Sequence, residues 1–274
     1  MTTEMENYAY KLHLADSLRE PVISRAIREL HIDTGSNILD AGCGIGSHLP
    51  LLTKQVGLSG HVTGLDISAG FISRARQNAK ICGLEDRISL VQGNVNSLPF
   101  NESEFDCVVS VDCVGYPNSP NPVALLKELK RVVRPGGIVA ILGWSYQQLL
   151  PGYPFLESKL NTASPLVVPS GTDMGPKAHF LRASGWFQEA GFVRTSSRSY
   201  AGDICAPLSD EEKEAVQAFF EMLWKNARPA VSNDEWQLFQ RISKPGSVDF
   251  ILDKADYYGF FVYTCFAGQV PGGW

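Results

Sequence analysis

"ILDAGCGIG", residues 38–46, is the stretch whose reading decides the fold. An apolar run ends at Asp40, and Gly42, Gly44 and Gly46 then alternate with Cys43 and Ile45. The run suits a buried strand, and the residues from Ser47 to Val56 suit a helix that closes near Gly57. Glycine has no Cβ, so it permits tight turns and close approach to the backbone. A turn from strand into helix also points free N–H groups into the space above a sheet. Three glycines in five positions exceed what a bare turn needs. The stretch is therefore read as a place where a ligand meets the main chain.

Outward from it, strands and helices alternate. The sequence predicts strands at His61–Asp66, Arg87–Gln92, Phe105–Val111 and Ile138–Trp144. Between them it predicts a helix capped by Ser68 and ended by Gly83, and another from Pro122 to Arg134. Pro135, Gly136 and Gly137 are read as the turn into the next strand. Upstream, residues 6 to 30 read as helical, with Pro21 opening a new first turn and Val22, Ile23, Ala26, Ile27 and Leu30 at helical spacing. Such alternation implies right-handed βαβ units and a mostly parallel sheet covered on both faces. Lys127, Lys130, Arg131 and Arg134 alternate with Leu125, Leu126, Leu129, Val132 and Val133, which makes them the solvated face of a sheet-packing helix.

After Trp144 the rhythm changes. Residues 145–176 are rich in Pro, Gly and Ser and read as a long loop. A short helix from His179 to Ala190 and a strand from Phe192 to Tyr200 follow. Ser209 with Glu212, and Ser232 with Glu235, have capping-box spacing and start two further helices. An aromatic, β-branched run from Tyr258 to Ala267 supplies the last strand. The expected architecture is thus a Rossmann-like α/β domain with seven strands, mostly parallel, helices on both faces, and a helical cap inserted before the last strand. Its parts are an N-terminal helical segment (1–34), the sheet domain (35–204 and 256–274) and the inserted cap (205–255).

The glycine spacing narrows the ligand. No Lys-Ser/Thr follows it, which excludes a phosphate-binding P-loop. The dinucleotide pattern G-x-G-x-x-G places Leu49 or Ser47 at its third position, and neither is glycine. Asp40 beside the turn would repel a pyrophosphate and favour a cationic ligand.

Four stretches in order resemble a known family. "ILDAGCGIG", "VTGLDIS", "VQGNVNSLPF", and "FDCVVSVDCVGY" followed by "LLKELKRVVRPGGIVAI" are similar to the motifs of class I S-adenosylmethionine-dependent methyltransferases, in the group that includes the ubiquinone and menaquinone C-methyltransferases. The likeness covers about residues 35 to 145 and implies S-adenosylmethionine as cofactor. By that resemblance Gly42, Gly44 and Gly46 form the turn around it, and Asp40 lies beside its positive charge. Asp66 would accept from the ribose hydroxyls, and Asn94 and the Val95 N–H would meet the adenine. Ile67 and Leu98 would sandwich the base, and Val111 would face the methionine part. Asn94 departs from the family, where aspartate is commoner; an amide oxygen can still accept from the adenine amino group.

Methyl transfer from a sulfonium needs alignment more than acid or base, so these motifs identify the cofactor and leave the acceptor and any catalytic residue unassigned. Candidates for the acceptor pocket lie outside the motifs: Tyr8, Tyr10 and His13 near the start, Asp112 and Tyr116 after the fourth strand, Trp144 and Tyr146 after the fifth, and His179. The helix bearing Ala215, Val216, Phe219, Phe220, Leu223 and Trp224 has an apolar face wide enough for a lid touching both core and ligand. Rival readings are a cofactor-binding module without turnover and a nicotinamide-dependent oxidoreductase.

Composition bounds the partners. The formal net charge is -5 and the pI about 5.6, against nucleic acid or an anionic membrane as main partner and for a small-molecule acceptor. MTTEMENYAY lacks the basic start and apolar core of a signal peptide, and no apolar run reaches the roughly 18 residues of a membrane span. A cytoplasmic monomer or homodimer is expected. The six cysteines form no C-x-x-C pair and are read as reduced thiols, with no metal.

Overall fold

The computed structural model describes residues 3–114, 121–164, 177 and 179–272. Its sheet has seven strands: β1 (Asn37–Ala41), β2 (His61–Asp66), β3 (Ile88–Gln92), β4 (Phe105–Val111), β5 (Val133–Gln148), β6 (Val193–Cys205) and β7 (Tyr258–Gln269). Their spatial order is β3-β2-β1-β4-β5-β7-β6. β7 runs antiparallel to both its neighbours, and the other described pairings are parallel. Helices α1 (Thr3–Arg28), α2 (Leu49–Gln55), α3 (Ala69–Ile81), α4 (Pro122–Arg131), α5 (Pro154–Asn161), α6 (Ala183–Glu189), α7 (Asp210–Trp224) and α8 (Asn233–Ser243) complete it.

Successive strand residues point to opposite faces, so each central strand feeds two cores. Ile38, Val62, Cys107, Val109 and Leu142 face a core shared with α1, α2, α3 and α7. Leu39, Leu65, Val108 and Ile141 face one shared with α4 and α6. This double burial is why the central strands read as continuous apolar runs. The chain order reverses between β1 and β4, which opens a crevice above their carboxyl ends.

Three elements differ from the sequence reading. Pro21 lies inside one continuous helix rather than opening a second. A proline in a helix interior costs about 3 kcal/mol, yet burial of Val22, Ile23 and Ile27 around it offsets more than that at roughly 1.5–3 kcal/mol each. The expected loop from 145 begins as strand instead: β5 continues to Gln148, pairing Tyr146, Gln147 and Gln148 with Val262, Phe261 and Phe260. Helix α5 then follows. Third, β5 starts at Val133, so Pro135–Gly137 lie within an irregular strand rather than a free turn.

The antiparallel ribbon of β5, β7 and β6 projects past Leu142, the last β5 residue paired with β4. Trp144 stacks on Phe261 with centroids 4.9 Å apart and meets Phe219 of α7 edge-on at 4.8 Å. Both inserted helices carry the capping boxes that their sequences announced: Glu212 N donates to Ser209 Oγ at 3.2 Å, and Glu235 N to Ser232 Oγ at 3.3 Å. The insertion thus sits on the ribbon and against α1, where Lys11 pairs with Glu221.

Candidate cofactor site

The glycine turn is tied to its neighbour strand. Gly42 N and Cys43 N both donate to Leu65 O, at 2.8 and 2.9 Å. Gly42 has φ +84°, and a Cβ there would lie 2.4 Å from Cys113 Sγ. Gly44 has φ +55° and nothing within 4 Å of a built Cβ. The first glycine is thus demanded by packing, while the second leaves open space for a ligand. A Cβ at Gly46 would come 3.0 Å from Ala75 Cβ, so this glycine lets α3 pack close to the turn.

Asp66, at the end of β2, accepts from Gly44 N at 3.0 Å and from Ser68 N at 2.8 Å. Each oxygen holds one backbone donor and keeps accepting capacity for a pair of hydroxyls. The carboxylate therefore also fixes the turn to the start of α3. A cavity of about 500 Å³ lies over these groups. Gly42, Gly44, Asp66, Ile67, Asn94, Val95, Val111 and Asp112 all line it.

Not every expected residue has its expected place. Gly46 lies in the wall of the adjoining cavity rather than this one. Asp40 is fully buried beneath the turn, outside the cavity wall, with both carboxylate oxygens lacking a hydrogen-bond partner among the described residues. Burial and the Asp66 charge raise its pKa to about 7. Asn94 Oδ1 accepts from Asn96 N at 2.9 Å, so the oxygen meant for adenine already closes a local turn. Ile67 stands on the rim, 67% exposed. Leu98 is buried in the α4-side core, outside the cavity wall.

The acceptor candidates separate. Tyr10 and His13 line a second cavity of about 670 Å³ between α1, the glycine turn and α3. It shares Asp16, Ile45, Ser47, His48 and Phe71 with the first. Trp144 is buried among Phe219, Phe261 and Tyr263, and its indole N–H donates to Gln147 Oε1 at 2.7 Å. Its backbone N–H donates to Asp112 Oδ1 at 3.0 Å. Its size suited a pocket wall, but the ribbon beyond Leu142 made it core. Tyr146 is exposed on that ribbon. His179 accepts from Leu181 N at the start of a short 3-10 turn on the α6 side, away from both cavities. Tyr116 lies outside the described residues, as does the side chain of Tyr8.

The sequence points to Tyr10 and His13 of α1 but not to Arg19 or Asp16 of the same helix. Arg19 is buried and lines the first cavity. Its Nε donates to Tyr263 Oη at 2.7 Å, Nη2 to Asp112 Oδ2 at 2.5 Å and Nη1 to Asp16 Oδ1 at 3.3 Å. Tyr263 Oη donates in turn to Asp112 Oδ2 at 2.7 Å. Asp112 has φ +51°, a left-handed conformation held by these partners. Burial lifts the Asp16 carboxyl above its ordinary range, opposed by Arg19, the Ser47 hydroxyl and His13. Burial and the nearby Arg19 push His48 down to about 3, so its imidazole is neutral. Burial pushes the Cys113 thiol up to about 12 and raises Cys43 further, so neither is a thiolate nucleophile at neutral pH. A signal for Arg19 existed: it falls between Ala15 and the Val22–Ile23 pair, on the apolar stripe of α1.

Comparison with known proteins follows the same lines. The family pattern described as "Methyltransferase domain" matches residues 38–137. The demethylmenaquinone methyltransferase of Staphylococcus carnosus is 31% identical over 209 residues, covering 70% of this chain and 83% of that protein. This chain belongs to the class I S-adenosylmethionine-dependent methyltransferases. Among solved structures, a SAM-dependent methyltransferase from Aquifex aeolicus matches with TM-score 0.51 at 23% identity, over 69% of this chain and 89% of its own. A chain from the complex of the Haloferax volcanii Trm112 methyltransferase activator with a methyltransferase matches with TM-score 0.61 at 19% identity, over 99% of this chain and 97% of its own. These two likenesses carry the fold alone. The protein is an S-adenosylmethionine-dependent methyltransferase, and S-adenosylmethionine is its methyl donor. The residues present suit that molecule: the open face of Gly44 leaves room for it, Asp66 has acceptor capacity for a diol, and Asp16 and Asp112 line the same cavity.

Proposed function

We propose that the protein transfers the methyl group of S-adenosylmethionine to a small or medium-sized metabolite by in-line displacement, in the cytoplasm. The observation that carries this reading is the pair of adjoining cavities roofed by α1, of about 500 and 670 Å³. Spaces of this size suit small molecules. The acidic balance of the chain speaks against a nucleic-acid acceptor. Free cysteines suit a reducing compartment, and no described helix is long and apolar enough to cross a membrane.

In this reading Asp66 and the turn at Gly42–Gly44 hold the adenosyl part, and Asn94 and Val95 border the base. The network of Arg19, Asp112 and Tyr263 locks α1 to the end of β4 and the middle of β7 and so fixes the walls around the transferred methyl. Catalysis rests on alignment, because the leaving thioether departs uncharged and needs no acid. The relatives' name makes a demethylated naphthoquinol the first acceptor to test. Incubation with methyl-labelled S-adenosylmethionine and a set of naphthoquinols, phenols and amines, read by mass spectrometry, is the direct assay. The reading expects acceptor-dependent formation of S-adenosylhomocysteine. Tight cofactor binding with no acceptor-dependent transfer from any class would contradict it.

A further inference from the structure

The site holds a charge arrangement that the glycine motif does not explain. The spatial order β3-β2-β1-β4 puts Asn94 and Asp112 at opposite ends of the first cavity, three strand spacings or about 14 Å apart. With the adenosyl part at the Asp66 end, the amino-acid part of the cofactor falls at the other. There Asp16 and Arg19 of α1 join Val111, Asp112, Ser47 and His48 in the wall.

Arg19 has five N–H bonds, and three are taken, by Asp16, Asp112 and Tyr263. The other two have no acceptor among the described residues. Beside them, Asp16 Oδ2 is buried with no hydrogen-bond partner among the described residues. A buried, unmatched carboxylate oxygen is costly, and so is a buried guanidinium with idle donors. Two carboxyl groups, Asp16 and Asp112, meet the one guanidinium, and His13 also faces Asp16. An α-amino acid end presents a carboxylate and an ammonium on one carbon, which is the complement of spare N–H donors beside a spare anionic oxygen.

We propose that Arg19 and Asp16 form a clamp in which Arg19 takes the carboxylate and Asp16 the α-ammonium of the methionine part of the cofactor. The clamp rests on the cofactor reading of the cavity and makes α1 a component of the site. Anchored through Tyr263 and Asp112, it joins residues 16, 19, 112 and 263 of the chain around one ligand group.

Calorimetry with three ligands separates the parts. S-adenosylhomocysteine carries both groups, its decarboxylated analogue keeps only the amine, and 5′-methylthioadenosine has neither. Arg19→Gln should weaken S-adenosylhomocysteine at least tenfold and leave the other two within threefold. Asp16→Asn should weaken S-adenosylhomocysteine and the decarboxylated analogue but not 5′-methylthioadenosine. Arg19→Lys, which keeps the charge, decides the matter if Arg19→Gln does not fold, and should show the same selective loss in milder form. Equal losses for all three ligands, or no loss for any, overturn the clamp. If the wild type binds neither S-adenosylhomocysteine nor 5′-methylthioadenosine, the cofactor reading of the cavity itself falls.

Discussion

Asp66 does two things at once, and its removal should show both. It accepts from Gly44 N and Ser68 N, and it has capacity left for a ligand diol. Asp66→Ala is expected to lower S-adenosylhomocysteine affinity by roughly 1.5–3 kcal/mol, the range for charge-assisted hydrogen bonds, measured by calorimetry. Gly44→Val should be worse, because the side chain would enter the ligand's space from a left-handed backbone that valine resists. Asp40 makes a prediction about pH. Its folded-state pKa of about 7 lies above the ordinary 3.8, so the native state holds a proton that the unfolded state has lost. Stability from this group is complete below pH 4 and falls as pH rises toward 7, on the order of 1 kcal/mol per pH unit. Asp40→Asn should therefore gain melting temperature over the wild type at pH 8 and lose that advantage at pH 4. An unchanged difference across the range would contradict the assignment. The residues legible in the sequence were those whose partners lie nearby in the chain. Asp66 contacts Gly44 across 22 residues in one βαβ unit, whereas Arg19 meets Asp112 and Tyr263 across 93 and 244. No local pattern announces a contact at that range.

At the level of elements, the capped helices α7 and α8 were announced by their own residues, because capping boxes are local hydrogen-bond pairs. The extension of β5 was not. Tyr146–Gln148 are strand because β7 supplies partners for them, and nothing in residues 145–148 themselves requires it. Helix α7 links three structures, packing Phe219 on Trp144 and Phe261 while Glu221 reaches Lys11 of α1. No residue of α7 is in the wall of either cavity, so the inserted helix does not touch the ligand space as expected of a lid; we propose that α1 is the cover over the cofactor and that α7 backs it. Phe219→Ala should cost roughly 3–5 kcal/mol of stability, since this side chain is fully buried. Hydrogen exchange offers the dynamic test. S-adenosylhomocysteine should raise protection in the glycine turn, α1 and α7 together, as expected of a closing lid. Protection confined to the glycine turn would make the inserted helices purely structural.

For the whole molecule, strand and helix periodicity gave the parallel sheet and its reversal point, which is where the cavity lies. Three of the basic residues in and after α4 are engaged within the fold: Arg131 pairs with Glu128, Arg134 at the start of β5 with Asp106, and Lys130 donates to Ala190 O and Gly191 O. The acceptor side stayed illegible for a physical reason. Alignment catalysis imposes few residue types, and the walls come from segments far apart in sequence. The central claim is that the crevice over β1 and β4 holds the adenosyl cofactor. Calorimetry on the intact chain with S-adenosylmethionine, S-adenosylhomocysteine and NAD tests it most directly. The account predicts one site for each adenosyl ligand, of micromolar affinity or about 8 kcal/mol, lost in Gly44→Val, with no binding of NAD. Binding of NAD without either adenosyl ligand, or adenosyl binding indifferent to both Gly44→Val and Asp66→Ala, would contradict it.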